Sequence, residues 1–177
     1  MIGATRPHRI PQVIMHHTHH TPPGIQCAIK SLRPDVAGIE FAETGYQKWI
    51  ATDTRSLRVY RWKSFSAAYR GITHLIHTHH VLAVGIAQIK SDSFRVYHVT
   101  LATALSACGA AHALSDALQK NLQWAAGSGF GPGRTFAAAA SGYTSGRLIP
   151  GTAQTTAYVQ TALNGRARYL STTTPTA

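Results

Sequence analysis

The sequence predicts an α+β fold: a small antiparallel sheet with two or three packed helices and irregular termini. Three observations carry this. Residues 36–63 break into short apolar or alternating runs separated by turn signals, the pattern of a strand meander. At Ser64 the apolar period lengthens from two towards a helical one. Further on, Leu114, Leu118 and Leu122 recur every four residues, with Ala111 and Ala125 on the same stripe, which is one face of a helix.

In order, residues 1–34 read as an irregular, basic, histidine-rich arm. Prolines punctuate it, and His16-His17-Thr18-His19-His20 precedes the turn signal Thr21-Pro22-Pro23-Gly24. Residues 35–170 read as the single mixed domain and 171–177 as a loose tail. Strands are expected at 36–41, 46–52 and 57–63. Thr44-Gly45 and the polar Asp53-Thr54-Arg55-Ser56 turn the chain between them. In the third strand Leu57, Val59 and Arg61 face one way and Arg58, Tyr60 and Trp62 the other. Ser64 caps a short helix bearing Phe65, Ala68, Tyr69 and Ile72, which Gly71 weakens. The run that follows fits a helical face or a strand equally. Residues 94–101 alternate as a strand does. A helix is expected over 110–126 and ends at Gly127. The segment from Gly127 to Gly133 is a glycine-rich connector, without the Lys-Ser/Thr of a phosphate loop. Pro150-Gly151-Thr152 opens a second helix over 153–163, closed by Asn164-Gly165.

At 177 residues, 44% of them apolar, there is material for one core. No apolar run reaches the roughly 18 residues of a membrane helix, and no signal-peptide pattern is read at the N-terminus. Two cysteines, Cys27 and Cys108, make neither a disulfide framework nor a Cys-x-x-Cys site. A reducing intracellular compartment or a virion is expected, rather than secretion.

Charge is the strongest functional signal. Lys and Arg number 17 against 6 Asp and Glu, a formal net charge of +11 with histidine neutral, and no acid follows Asp116. Such an excess favours a polyanionic partner, nucleic acid first and an anionic membrane surface second. A translated GC-rich reading frame without evolved activity would also be rich in Arg, Ala and Gly. Within the excess lies a ribbon in which Arg55, Arg58, Arg61, Lys63 and Arg70 interleave with Tyr60, Trp62, Phe65 and Tyr69. Guanidinium forks bind phosphate and aromatic faces stack on bases. The candidate nucleic-acid-binding residues are therefore Arg55, Arg58, Tyr60, Arg61, Trp62, Lys63 and Arg70. Arg134, Arg147, Arg166 and Arg168 add phosphate contacts from the acid-free C-terminal third. The expected partner is RNA or DNA, within a nucleoprotein particle such as a ribosome, capsid or phage assembly. No catalysis or cofactor is expected, and affinity should fall steeply with salt.

The alternative rests on histidine. Four imidazoles lie in His74-Leu75-Ile76-His77-Thr78-His79-His80, and imidazole is the commonest metal ligand. His77, His79, His80 and His98 are the candidate ligands of a zinc-dependent enzyme, with Glu40, Glu43 or Asp92 as its base. A similar His-Thr-His-His at 17–20 is a local echo that does not extend into a repeat.

Leu75-Ile76-His77-Thr78-His79 resembles the zinc-binding His-x-His of class II aldolases. His77-Thr78-His79 with Tyr158 resembles the paired histidines and tyrosine of rolling-circle nucleases. A longer stretch, about 62–118, resembles the catalytic part of tyrosine recombinases, or phage integrases. Gly71 to His79 stands at that family's His-x-Leu-Arg-His-Thr box, and Val96-Tyr97-His98 at its Leu-Gly-His box. Thr73, Ile76, Tyr97 and Cys108 replace the box histidine, arginine, glycine and tyrosine nucleophile. Of the catalytic residues compared only His98 remains, so the resemblance implies an inactive relative.

Overall fold

The computed structural model describes residues 22–173. Among them are six α-helices and one four-stranded antiparallel sheet, an α+β fold as the sequence predicts. The arm's histidines 16–20 lie outside the described residues.

After two 3-10 turns, Ile25–Cys27 and Lys30–Leu32, comes helix α1, Arg33–Thr44. The apolar run predicts a strand at 36–41; the structure has a helix there instead. Pro34 lies in the first helical turn, where a missing N–H costs nothing, and Gly45 closes the helix at φ 60. The run is apolar on both sides because Val36, Ala37 and Ile39 are all fully buried, so burial erased the helical period.

Strands β1 (Ile50–Asp53) and β2 (Val59–Arg61) form the expected hairpin, with Ala51 opposite Tyr60. Helix α2 (Phe65–His77) follows, its N-terminus capped by Ser64 Oγ, which accepts from the Ala67 N–H at 3.3 Å. It buries Ala68 and Ile72 and runs well past Gly71. Gly71 has a packing role: a Cβ there would stand 2.7 Å from the Trp62 indole. Strands β3 (Leu82–Val84) and β4 (Ile89–Lys90) complete the sheet in the order β2-β1-β3-β4, so β2 is an edge.

No strand spans 94–101. The segment is a turn, with the Val99 N–H donating to the Phe94 carbonyl at 2.8 Å and His98 at φ 51. Thr100 then caps helix α3 (Leu101–Leu105), and Ser106 caps helix α4 (Ala107–Gly127). Alternation misled here because Arg95, Val96, Tyr97 and His98 are all exposed, so no face is being selected. On α4 the predicted stripe is the buried one: Ala111, Leu114, Leu118 and Ala125 are at most 1% exposed. Each leucine contributes about 1.5–3 kcal/mol by leaving water.

Helix α5 (Pro132–Ser145) occupies part of the expected connector and continues beyond it, and α6 (Ala153–Thr173) runs past the predicted stop at Asn164-Gly165. Gly165 is buried, and a Cβ on it would meet Phe41 Cβ of α1 at 2.6 Å; one on Gly38 would meet the Ala162 carbonyl of α6 at the same distance. These two glycines let α1 and α6 approach closely. Cys27 and Cys108 form a disulfide, with Cα atoms 5.2 Å apart, joining the segment before α1 to the head of α4.

Candidate nucleic-acid interface

The hairpin and α2 bring the central ribbon together. Along the edge strand, side chains two apart share a face. The Arg58 guanidinium lies over the Tyr60 ring, 5.0 Å from its centroid, and Tyr60 stacks on Trp62 at 6.0 Å and 15°. Trp62 in turn rests on α2 at Gly71. On α2 itself Phe65 stacks with Tyr69 at 6.0 Å, both rings exposed. Arg55, Arg58, Arg61, Lys63 and Arg70 are all exposed. Arg61 is partly engaged, donating from Nε to Gln47 Oε1 at 3.0 Å.

Asp53 is the acid nearest the ribbon in sequence, and the fold consumes it. Its Oδ1 accepts from the backbone N–H of Ser56 at 2.7 Å and of Arg55 at 2.9 Å, while Oδ2 meets His80 Nδ1. The Ser56 N–H above all, then His80, holds this carboxyl far below the usual carboxylate range. One side chain thus shapes the hairpin loop that carries Arg55 and Arg58, and ties that loop to the segment between α2 and β3. The Asp53–His80 pair spans 27 residues, and no local motif announces it.

The remaining predicted arginines are not part of this ribbon. Arg134 stands exposed in the first turn of α5, and Arg147 just after that helix. Arg166 pairs with Asp35 of α1 and lies over the Phe136 ring at 5.4 Å. Arg168 is exposed but sits over the Phe41 ring at 4.9 Å. Arg166 therefore takes part in the packing of α1 against α6.

The histidines are placed differently from a zinc site on a strand. His77 ends α2, His79 sits at φ 65, and both are exposed, as is His98. His80 is engaged with Asp53. Among the described residues no three His, Cys, Asp or Glu side chains converge on a point that could hold a metal. Tyr158, the counterpart of the nuclease tyrosine, is half-buried and donates to Glu43 Oε1 at 2.6 Å.

Carboxylates are withdrawn from the surface more thoroughly than composition implies. Glu40 is 0% exposed, and neither of its oxygens has a hydrogen-bond partner among the described residues. Burial pushes its carboxyl up to about 8 and that of Glu43 to about 7. Asp35 faces Arg166, and only Asp92 and Asp116 are exposed. Of the described Lys and Arg residues, all but Arg33 and Arg166 are exposed. Near neutral pH the folded chain is therefore more positive than its formal +11.

No family model, curated protein or solved structure matches the chain. No helix among the described residues is long and apolar enough to cross a membrane.

Proposed function

We propose that this chain is a basic, non-catalytic nucleic-acid-binding protein, a structural component of a nucleoprotein particle. It engages RNA or DNA through the β2–α2 ribbon. One observation carries the reading: exposed arginines and a lysine surround stacked aromatics on an edge strand, while the nearby carboxylate, Asp53, is buried and hydrogen-bonded within the fold. Arg55, Arg58, Lys63 and Arg70 supply phosphate contacts. Phe65 and Tyr69, each 41% exposed, offer ring surface for bases, worth about 1–3 kcal/mol for each base stacked. Phosphate contacts and stacking carry little sequence information, so the binding expected of this ribbon is largely indifferent to sequence.

The test is anisotropy of labelled single- and double-stranded oligonucleotides across a salt series at neutral pH. Log affinity should fall linearly with log salt, with a slope of roughly −0.7 to −0.9 per phosphate engaged. Arg58→Gln and Arg70→Gln should each weaken binding alike for unrelated sequences and flatten that slope by about one contact. No binding by the folded protein at low salt rejects the proposal.

A further inference from the structure

A second basic-aromatic site lies away from the ribbon in the chain, where the end of α4, the α4–α5 connector and the α5–α6 connector meet. They enclose an open groove of about 520 Å³, lined mainly by apolar surface, within the roughly 300–1,000 Å³ of small-molecule sites. Trp124 forms one of its walls. The indole is 47% exposed, yet its position is set: its Cζ3 atom lies 3.3 Å from where a Cβ on Gly142 of α5 would stand. Phe130 and the buried Leu148 pack in a small satellite core beneath, with Ala125 and Ala138. Ile149, 69% exposed, forms another wall.

Arg147 supplies the polar end. Its carbonyl accepts from Ser141 Oγ at 2.6 Å, which fixes the connector to α5. Its guanidinium lies over Gly151, Nη1 being 3.7 Å from where a Cβ would stand. No acidic side chain lines the groove, and no acid occurs in the sequence after Asp116. An exposed indole and isoleucine beside one guanidinium fit a ligand that is flat and apolar in one part and anionic in another. Stacking satisfies the first part and a guanidinium fork the second.

We infer that this groove binds a nucleotide, its base against Trp124 and Ile149 and its phosphate on Arg147. The site shares no residue with the ribbon and does not depend on it. Its ligand can be a free nucleotide or one unit of a strand, since both present the same base and phosphate.

Calorimetry of the full chain with adenosine 5′-monophosphate, adenosine and inorganic phosphate tests this. Saturable binding of the monophosphate is expected, with adenosine about tenfold weaker for want of the charge-assisted bond. Arg147→Gln should abolish that difference, and Trp124→Leu should weaken both ligands about tenfold. Ile149→Ala, at an exposed position, gives a second reading that does not endanger the fold, and circular dichroism checks folding of each variant. Arg95→Gln, at an exposed position of neither site, should leave monophosphate binding unchanged; the groove fails on Trp124→Leu and Arg147→Gln with the monophosphate, the ribbon on Arg58→Gln and Arg70→Gln with oligonucleotides, so the two failures are distinguishable. Displacement of the monophosphate by a short single-stranded oligonucleotide supports the site as a strand subsite; persistence supports it as a site for free nucleotide. The inference is overturned if the folded protein takes up no monophosphate, if phosphate alone binds as tightly, or if Trp124→Leu and Arg147→Gln bind it undiminished.

Discussion

Glu40 is a fully buried carboxyl without a hydrogen-bond donor among the described residues, and its titration couples the fold to pH. Its ordinary value of 4.5 rises to about 8 in the folded chain because burial disfavours the charged form. The folded state thus holds a proton that the unfolded state releases. The associated stability is fully present below about pH 4.5 and is lost as pH climbs through about 8. Glu43 works in the same direction, burial raising it to about 7. Glu40→Met removes the charge at similar volume. Relative to wild type, it should gain on the order of 2 kcal/mol in urea unfolding between pH 6 and pH 9. A gap that stays constant between those pH values would count against a buried titrating Glu40. At this scale the sequence was legible where partners are neighbours, as in Arg58, Tyr60 and Trp62 spaced two apart. Asp53 with His80, and Asp35 with Arg166, required the folded chain, because those partners are 27 and 131 residues apart.

Helices α1 and α6 pack through glycine, and that contact explains why α6 does not end at Asn164-Gly165. Gly165 reads as a stop only while its helix is considered alone; against Phe41 it is the residue that lets two backbones meet. Gly165→Ala should improve helix propensity yet destabilise the protein by about 1–3 kcal/mol, since the added methyl would sit 2.6 Å from Phe41 Cβ. Thermal melting of this variant beside Gly127→Ala, where a Cβ meets nothing within 4 Å, separates crowding from propensity. Helix α1 did carry readable punctuation, Pro34 and Gly45, but its apolar run outweighed them. Helix α5 is hard to read from the sequence because, Phe136 apart, its buried residues are small, Ala138 to Gly142, which leaves little contrast in side-chain size to mark a period. The hairpin, the Ser64 cap and the α4 stripe were all legible because in each the pattern is local.

For the molecule as a whole, fold class and charge excess followed from the sequence, and the covalent cross-link did not. Two cysteines 81 residues apart give no spacing to interpret; only the fold brings them together. Closing so long a loop restricts the unfolded chain and stabilises the folded one by up to about 4 kcal/mol. The Cys27→Ala, Cys108→Ala double variant should therefore melt at a lower temperature than wild type, and a reductant should lower the wild-type midpoint without moving the variant's. Equal midpoints for the oxidised protein and the double variant would remove the cross-link from the account of stability.

The edge position of β2 has a consequence for self-association. An outermost strand offers its unpaired backbone groups to any other extended chain, a route to stacking of sheets between molecules. Here the residues beside that border, Arg58 and Arg61, are both exposed cations, so a second copy approaching in the same way meets like charge. The guanidinium groups that the proposed function assigns to a polyanion are thus also a guard against aggregation, and a variant stripped of them should lose colloidal stability.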